Sequence, residues 1–202
     1  MNKQLSSSRI SSIGYFSKIV RENHQKWSGL DAKIEEVKYI SKKRTMEGDS
    51  ADFEQNLAQY EEELAKISFV IIIFTAIAVE AYIYDYAARN LGDSFVKDHL
   101  DKLDTVSKWL IIPELVTGNK LPKRQHWHGE LKKLIKARNS LIHYKSWDPS
   151  SLSVISLHGR LAKSSIEVHQ AAGQSIDLLR LLADKISEID PEETPWVQSH
   201  LM

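Results

Sequence analysis

Apolar positions recur at steps of three and four along most of the chain, the period of a helix with one face turned inward. Ile10, Ile13, Phe16 and Ile19-Val20 predict a helix over about 8–26. Ser28-Gly29 predicts a break, since glycine inside a helix costs about 1 kcal/mol relative to alanine. Trp27, Leu30, Ile34 and Val37 carry the period into a second short helix, which ends near the Glu47-Gly48-Asp49-Ser50 turn. Ser50 is a good N-cap for the longest element, where Phe53, Leu57, Tyr60, Leu64 and Ile67 form an apolar stripe. From Phe69 to Val79 the chain is apolar all round, and Gly92 is the expected stop. That run of about 11 residues is short of the roughly 20 a bilayer needs, and Glu80 and Asp85 follow it. It reads as the central helix of a bundle, with no membrane as partner.

Residues 93–112 read as one or two short helices, with Leu100, Leu103, Val106 and Leu110 on one face. Pro113 to Pro122 reads as a loop, and a helix from about 124 to 146 follows and stops before Pro149. The stretch 148–160 is a looser connection, and Val154, Ile155 and Leu157 suit a short extended piece. Ile176, Leu179, Leu182, Ile186 and Ile189 carry the last helix, from about 161 to 189; Pro191 and Pro195 end it. The expected fold is therefore all-α: an antiparallel helical bundle of about four long helices plus short ones. Residues 1–50 form an N-terminal helical extension packed on the bundle, 51–190 the bundle, and 191–202 a mobile tail.

Composition narrows the chemistry. A chain of 202 residues with 42% apolar side chains and only 8 Gly and 5 Pro is the length and make-up of one globular domain. It has no cysteine, which removes thiol nucleophiles, disulfides and Cys-type metal sites together. No GxGxxG or GxxxxGK[ST] pattern occurs, so no dinucleotide or P-loop cofactor is expected. Met1 to Leu5 and the Ser6-Ser7-Ser8 run have no apolar leader character, and the expected compartment is the cytoplasm.

Charge changes the picture more. The formal net charge is zero, yet seven acids and no base lie between Glu47 and Glu63. From Lys120 to Lys145 there are eight bases against Glu130 alone. Trp127, Tyr144 and Trp147 are interleaved with those cations, the mixture that phosphate contact and base stacking require. Arg124, Lys132, Lys136 and Lys145 are the candidate RNA contacts. His126-Trp127-His128 makes a poor metal site, because positions i and i+2 diverge by about 200° on a helix; no metal is expected.

Within this window lies Ala137-Arg138-Asn139-Ser140-Leu141-Ile142-His143-Tyr144-Lys145. Alone, an Arg and a His at this spacing are a weak signal. On a helix the two directions lie about 140° apart, so the Arg138 arm reaches His143 only within a shared groove. Asn139 and His143 are neighbours one turn apart, which lets the amide set the imidazole tautomer. Each residue also has a structural explanation: His143 as a cation at a helix C-terminus, Arg138 as a partner of Glu80, and Glu80 as a buried structural acid.

Arg138-Asn139 followed by three residues and His143 resembles the RN-x-x-x-H motif of the HEPN superfamily. Ala78-Val79-Glu80-Ala81-Tyr82 resembles the polar position on an earlier helix of that family. The resemblance covers roughly residues 55–189 and leaves the first 50 residues unexplained. It implies a metal-independent endoribonuclease of toxin or phage-defence type, without cofactor. It further implies a homodimer whose two motifs share a cleft, and an antitoxin of nucleotidyltransferase type. Arg138 and His143 would be catalytic, with Asn139, Glu80 and Tyr144 in support. Two other classes stay open: a non-catalytic RNA- or nucleotide-binding module, and a structural helical protein whose acidic helix docks a basic partner.

Overall fold

The computed structural model describes residues 11–44, 51–123, 125–142 and 165–202, and among these every regular element is helical. The chain opens with α1, Ile13–Arg44. The break expected at Ser28-Gly29 does not occur. Both residues face solvent, and Gly29 has no neighbour that its missing side chain must avoid. Trp27, Leu30 and Ile34 bury on the opposite side, and that burial outweighs about 1 kcal/mol of glycine cost.

Helix α2, Ala51–Leu91, is the centre of the molecule. Phe16 meets Phe74, Trp27 donates its indole N–H to Ser68 Oγ at 2.9 Å, and Lys38 pairs with Glu61 at 3.4 Å. Residue numbers rise on one helix as they fall on the other, so α1 and α2 run antiparallel. From Ile71 onward α2 buries residues on more than one side, including Ile72, Val79, Tyr82, Ile83 and Tyr86. By length and composition the helix within Glu54–Leu91 is long and apolar enough to cross a bilayer, and 50% of its most apolar window is buried in the bundle. It ends where expected: Gly92 has φ 91° and donates its N–H to the Ala88 carbonyl at 3.0 Å.

A turn at Asp93–Phe95 runs into a wide helical turn at Val96–Leu100, which buries Val96 and Leu100. Helix α3, Thr105–Thr117, starts on Asp104, whose carboxylate accepts the Ser107 N–H at 3.0 Å. The loop expected from Pro113 begins later. Pro113 is buried inside α3, and the helix ends only at Gly118, with φ 77°. Proline removes one helix hydrogen bond. Fully buried Trp109 and Ile112 hold this turn in place, with the Trp109 N–H on the Val79 carbonyl at 3.2 Å.

Helix α4, His126–Ile142, buries Trp127, Leu131, Leu134 and Ala137. The connection expected over 148–160 lies outside the described residues. Helix α5, over 165–173, meets α6, Ser175–Ile189, at Gln174. The two bury one continuous stripe through Val168, Ala172, Leu179, Leu182 and Ile186. Gly173 sits at this joint because a Cβ there would lie 2.9 Å from the Trp27 ring.

The last segment differs from the mobile tail expected after Pro191. A short turn, Pro191–Glu193, leads into α7, Thr194–Leu201, which buries Val197 and Leu201. Both prolines lie at or near the first turn of their helical segments, where a missing N–H costs little. A buried polar cluster docks the segment onto α2. Tyr82 donates to Glu193 at 2.9 Å, Tyr86 to Asp190 at 2.8 Å, and Arg89 to Asp85 at 2.8 Å and Glu193 at 2.9 Å. Arg89 also lies over the Trp196 ring, 4.6 Å from its centroid. Burial, then the charge of Glu193, raises the Tyr82 pKa; burial, then the Asp190 hydrogen bond, raises that of Tyr86. Burial works against the Arg89 charge, but Glu193 and Asp85 outweigh it and hold its pKa above the ordinary value.

Candidate functional site

Helix α4 presents different chemistry to each side. Its apolar stripe through Trp127, Leu131 and Leu134 faces the core. Arg138 lies one position past buried Ala137 and is turned toward α2. Its Nη2 stands 3.6 Å from Glu80 Oε2, and its side chain is 24% exposed. The Arg138 Nε is buried and has no hydrogen-bond partner.

The acid expected to be buried is not. Glu80 is 43% exposed and lies between two cations, because its Oε1 is 3.6 Å from Lys108 Nζ on α3. Helix α2 passes beneath both α3 and α4, and Glu80 lies where a side chain reaches either one. Sequence reasoning missed Lys108. The one available signal was its place beside Trp109 and one turn before Ile112, on the face of α3 that packs inward. Asp101 Oδ1 stands 4.0 Å from the same ammonium, whose side chain is only 4% exposed.

The other expected site residues do not gather around Arg138. Lys132 and Lys136 are exposed, and their directions on α4 lie well away from that of Arg138, by about 120° and 160°. Lys136 instead reaches α5, donating to Glu167 at 3.1 Å. Lys133 donates to Glu130 at 2.8 Å. Asn139 is exposed. His143, Tyr144, Lys145 and Arg124 lie outside the described residues, His143 one position beyond the end of α4. Near the start of α4, burial lowers the pKa of His128, and the neighbouring charges of Lys132 and Lys123 act in the same direction.

The described acids of the acidic block pair with neighbours on α1 and α2. Glu61 pairs with Lys38 of α1, and Glu62 with Lys66 one turn along α2. Among the described residues no three His, Asp or Glu side chains converge as a metal site would require. A cleft of about 520 Å³ lies between α1, α2, α5 and the end of α4, with Phe69, Leu141, Ile166 and His169 in its walls. On α2 Phe69 and Ile77 are exposed, and Ile142 is exposed one turn after Arg138. Compared with known proteins, the chain matches no family model, no curated protein and no solved structure.

Proposed function

We propose that the chain is a HEPN-like, metal-independent endoribonuclease of toxin or defence type that acts as a homodimer. The observation that supports this reading is Arg138: a part-buried guanidinium turned toward α2, with an unpartnered Nε, on the helix that leads into His143. Arg138 holds the scissile phosphate and offsets the charge that builds on it in the transition state. The RNA's own 2′-oxygen attacks phosphorus, the bond to the 5′-oxygen breaks, and the product carries a 2′,3′-cyclic phosphate. His143 removes the 2′-hydroxyl proton or supplies one to the leaving oxygen. A histidine's ordinary pKa of about 6.5 suits either task, and such a group is worth roughly 10²–10⁴ in rate.

Asn139 orients the His143 ring. Lys132, Lys136, Lys145, Arg124 and Tyr144 contact flanking nucleotides, Lys132 and Lys136 from the outer side of α4. Exposed Ile77, on the helix of Glu80, and Ile142, one turn after Arg138, supply apolar surface for a second copy to cover. A nucleotidyltransferase-type antitoxin is the partner that fits a toxin of this kind.

The test uses purified chain, RNA and EDTA, with product ends identified chemically. Wild type is expected to leave 2′,3′-cyclic phosphate, and Arg138→Ala and His143→Ala are expected to lose about 100-fold or more in rate. Equal cutting by wild type and His143→Ala overturns the catalytic assignment. RNA binding without cutting makes the chain a binding module. No RNA binding leaves the structural-partner reading, and a strict monomer in sedimentation overturns the shared cleft.

A further inference from the structure

Where α2 meets α3 and α4, one carboxylate stands against two cations, and neither contact is a hydrogen bond. Glu80 Oε2 is 3.6 Å from Arg138, and Glu80 Oε1 is 3.6 Å from Lys108. Direct N–H···O bonds close at about 2.7–3.2 Å. The Lys108 side chain is 4% exposed and its ammonium stands 3.6 Å from Glu80 and 4.0 Å from Asp101, while the Arg138 Nε is buried without an acceptor. An enclosed donor without an acceptor is costly, which makes Arg138, with Lys108 on the same carboxylate, receptive to a better-fitting anion. Glu80 itself is half-exposed and can swing into water at small cost; Lys108 cannot.

We infer that Glu80 is a built-in occupant of a two-cation phosphate site, formed by Arg138 and Lys108, which an RNA phosphate enters by displacing it. A phosphodiester offers what the carboxylate offers: two acceptor oxygens and a single negative charge. With Glu80 swung out, Arg138, Lys108 and Asp101 leave one net positive charge, which one phosphodiester neutralises. Lys108 is thereby assigned as a second phosphate-binding residue, and Glu80 as the competitor that sets the affinity. The inference rests on the reading that RNA phosphate docks at Arg138.

The experiment measures binding of a short single-stranded RNA to wild type, Glu80→Gln, Lys108→Met, Lys108→Arg and Glu62→Gln, across a range of salt. Glu62→Gln makes the same change in net charge on the distant acidic face. Glu80→Gln is expected to bind roughly five- to tenfold tighter than wild type, the scale of one partly solvated charge pair. Lys108→Met is expected to bind about fivefold more weakly, with the slope of log affinity against log salt reduced by about one. Lys108→Arg keeps the charge and stands in if the Lys108→Met circular dichroism spectrum shows unfolding. If Glu80→Gln binds no tighter than Glu62→Gln, the competitor role is overturned, whether or not the protein cuts RNA. A parallel titration follows the Arg138 Nε–H resonance with inorganic phosphate. Phosphate shifting that resonance in Glu80→Gln at lower concentration than in wild type, while no variant binds RNA, upholds the two-cation site and overturns the RNA reading. No shift in any variant overturns the site itself.

Discussion

Replacing Glu193 by glutamine removes one charge from a cluster sealed between α2 and the C-terminal segment. Glu193 is buried; it accepts two hydrogen bonds from Arg89 and one from Tyr82. A glutamine keeps the shape but offers one acceptor oxygen where three donors converge. Arg89 would keep Asp85 as its partner, so its charge is only partly abandoned. Removing one partner from a buried pair costs about 3–5 kcal/mol, and the remaining Asp85 contact places the expected loss near the lower bound, about 3 kcal/mol. For a domain of this size that is a fall of roughly 6–12 °C in Tm. The assay is urea and thermal unfolding followed by far-ultraviolet circular dichroism and by tryptophan fluorescence, since Trp196 lies against Arg89. The double variant Arg89→Met/Glu193→Gln should lose clearly less than the two single changes added together. Exposed Glu36→Gln on α1 is the control and should stay within about 0.5 kcal/mol. A loss below about 1 kcal/mol for Glu193→Gln would refute the idea that buried ions dock the last helix.

High pH should weaken the same cluster. The pKa values of Tyr82 and Tyr86 are raised in the fold, so the unfolded chain loses those protons first; stability is full below about pH 10 and falls above it. The slope should approach two protons, about 2.7 kcal/mol per pH unit, and Tyr82→Phe/Tyr86→Phe should flatten it. Gly173→Ala would set a methyl 2.9 Å from the Trp27 ring, which is flanked by His24 and His169. It should destabilise by about 1–2 kcal/mol despite alanine's better helix propensity, and a raised denaturant midpoint would contradict this. Asp104→Ala removes the α3 cap and should cost about 1 kcal/mol near neutral pH. The Ser107 hydroxyl and N–H hold the Asp104 pKa below its ordinary value, so the difference from wild type should persist down to about pH 4 and vanish as the pH falls further.

Much of the fold is legible in the sequence because helical periodicity and glycine stops are local properties. The 3–4 spacing of Leu57, Tyr60, Leu64 and Ile67, with Gly92 beyond, gives α2 almost to its ends. The all-apolar stretch after Phe69 marks the central helix, which buries Ile71, Ile72, Ala76 and Val79 on more than one side. Local rules fail where tertiary burial overrides them. Gly29 is spanned because Trp27, Leu30 and Ile34 hold both halves of α1 against the core. Pro113 stays helical because Trp109 and Ile112 anchor the same turn. Pro191 and Pro195 look like the start of a tail, and instead begin short helical segments that Glu193, Val197 and Leu201 fasten down.

The candidate site divides in the same way. Arg138, Asn139 and His143 are close in sequence, so their spacing on one helix can be read directly, and the motif resemblance points to Glu80 as the polar residue on an earlier helix. Its half-exposed position and its second cation were not visible. Lys108 sits 28 residues from Glu80 and 30 from Arg138, and no local pattern relates the three. What the sequence determined by itself is which segments are helical and which side chains share a face, because both follow from the backbone period. What only the tertiary structure decided is which faces meet: Lys108 of α3 and Arg138 of α4 on one carboxylate of α2, and the last helix on Tyr82, Tyr86 and Arg89. Those meetings depend on how whole helices pack across the core, and packing is settled by the sum of many contacts that no single stretch of chain contains.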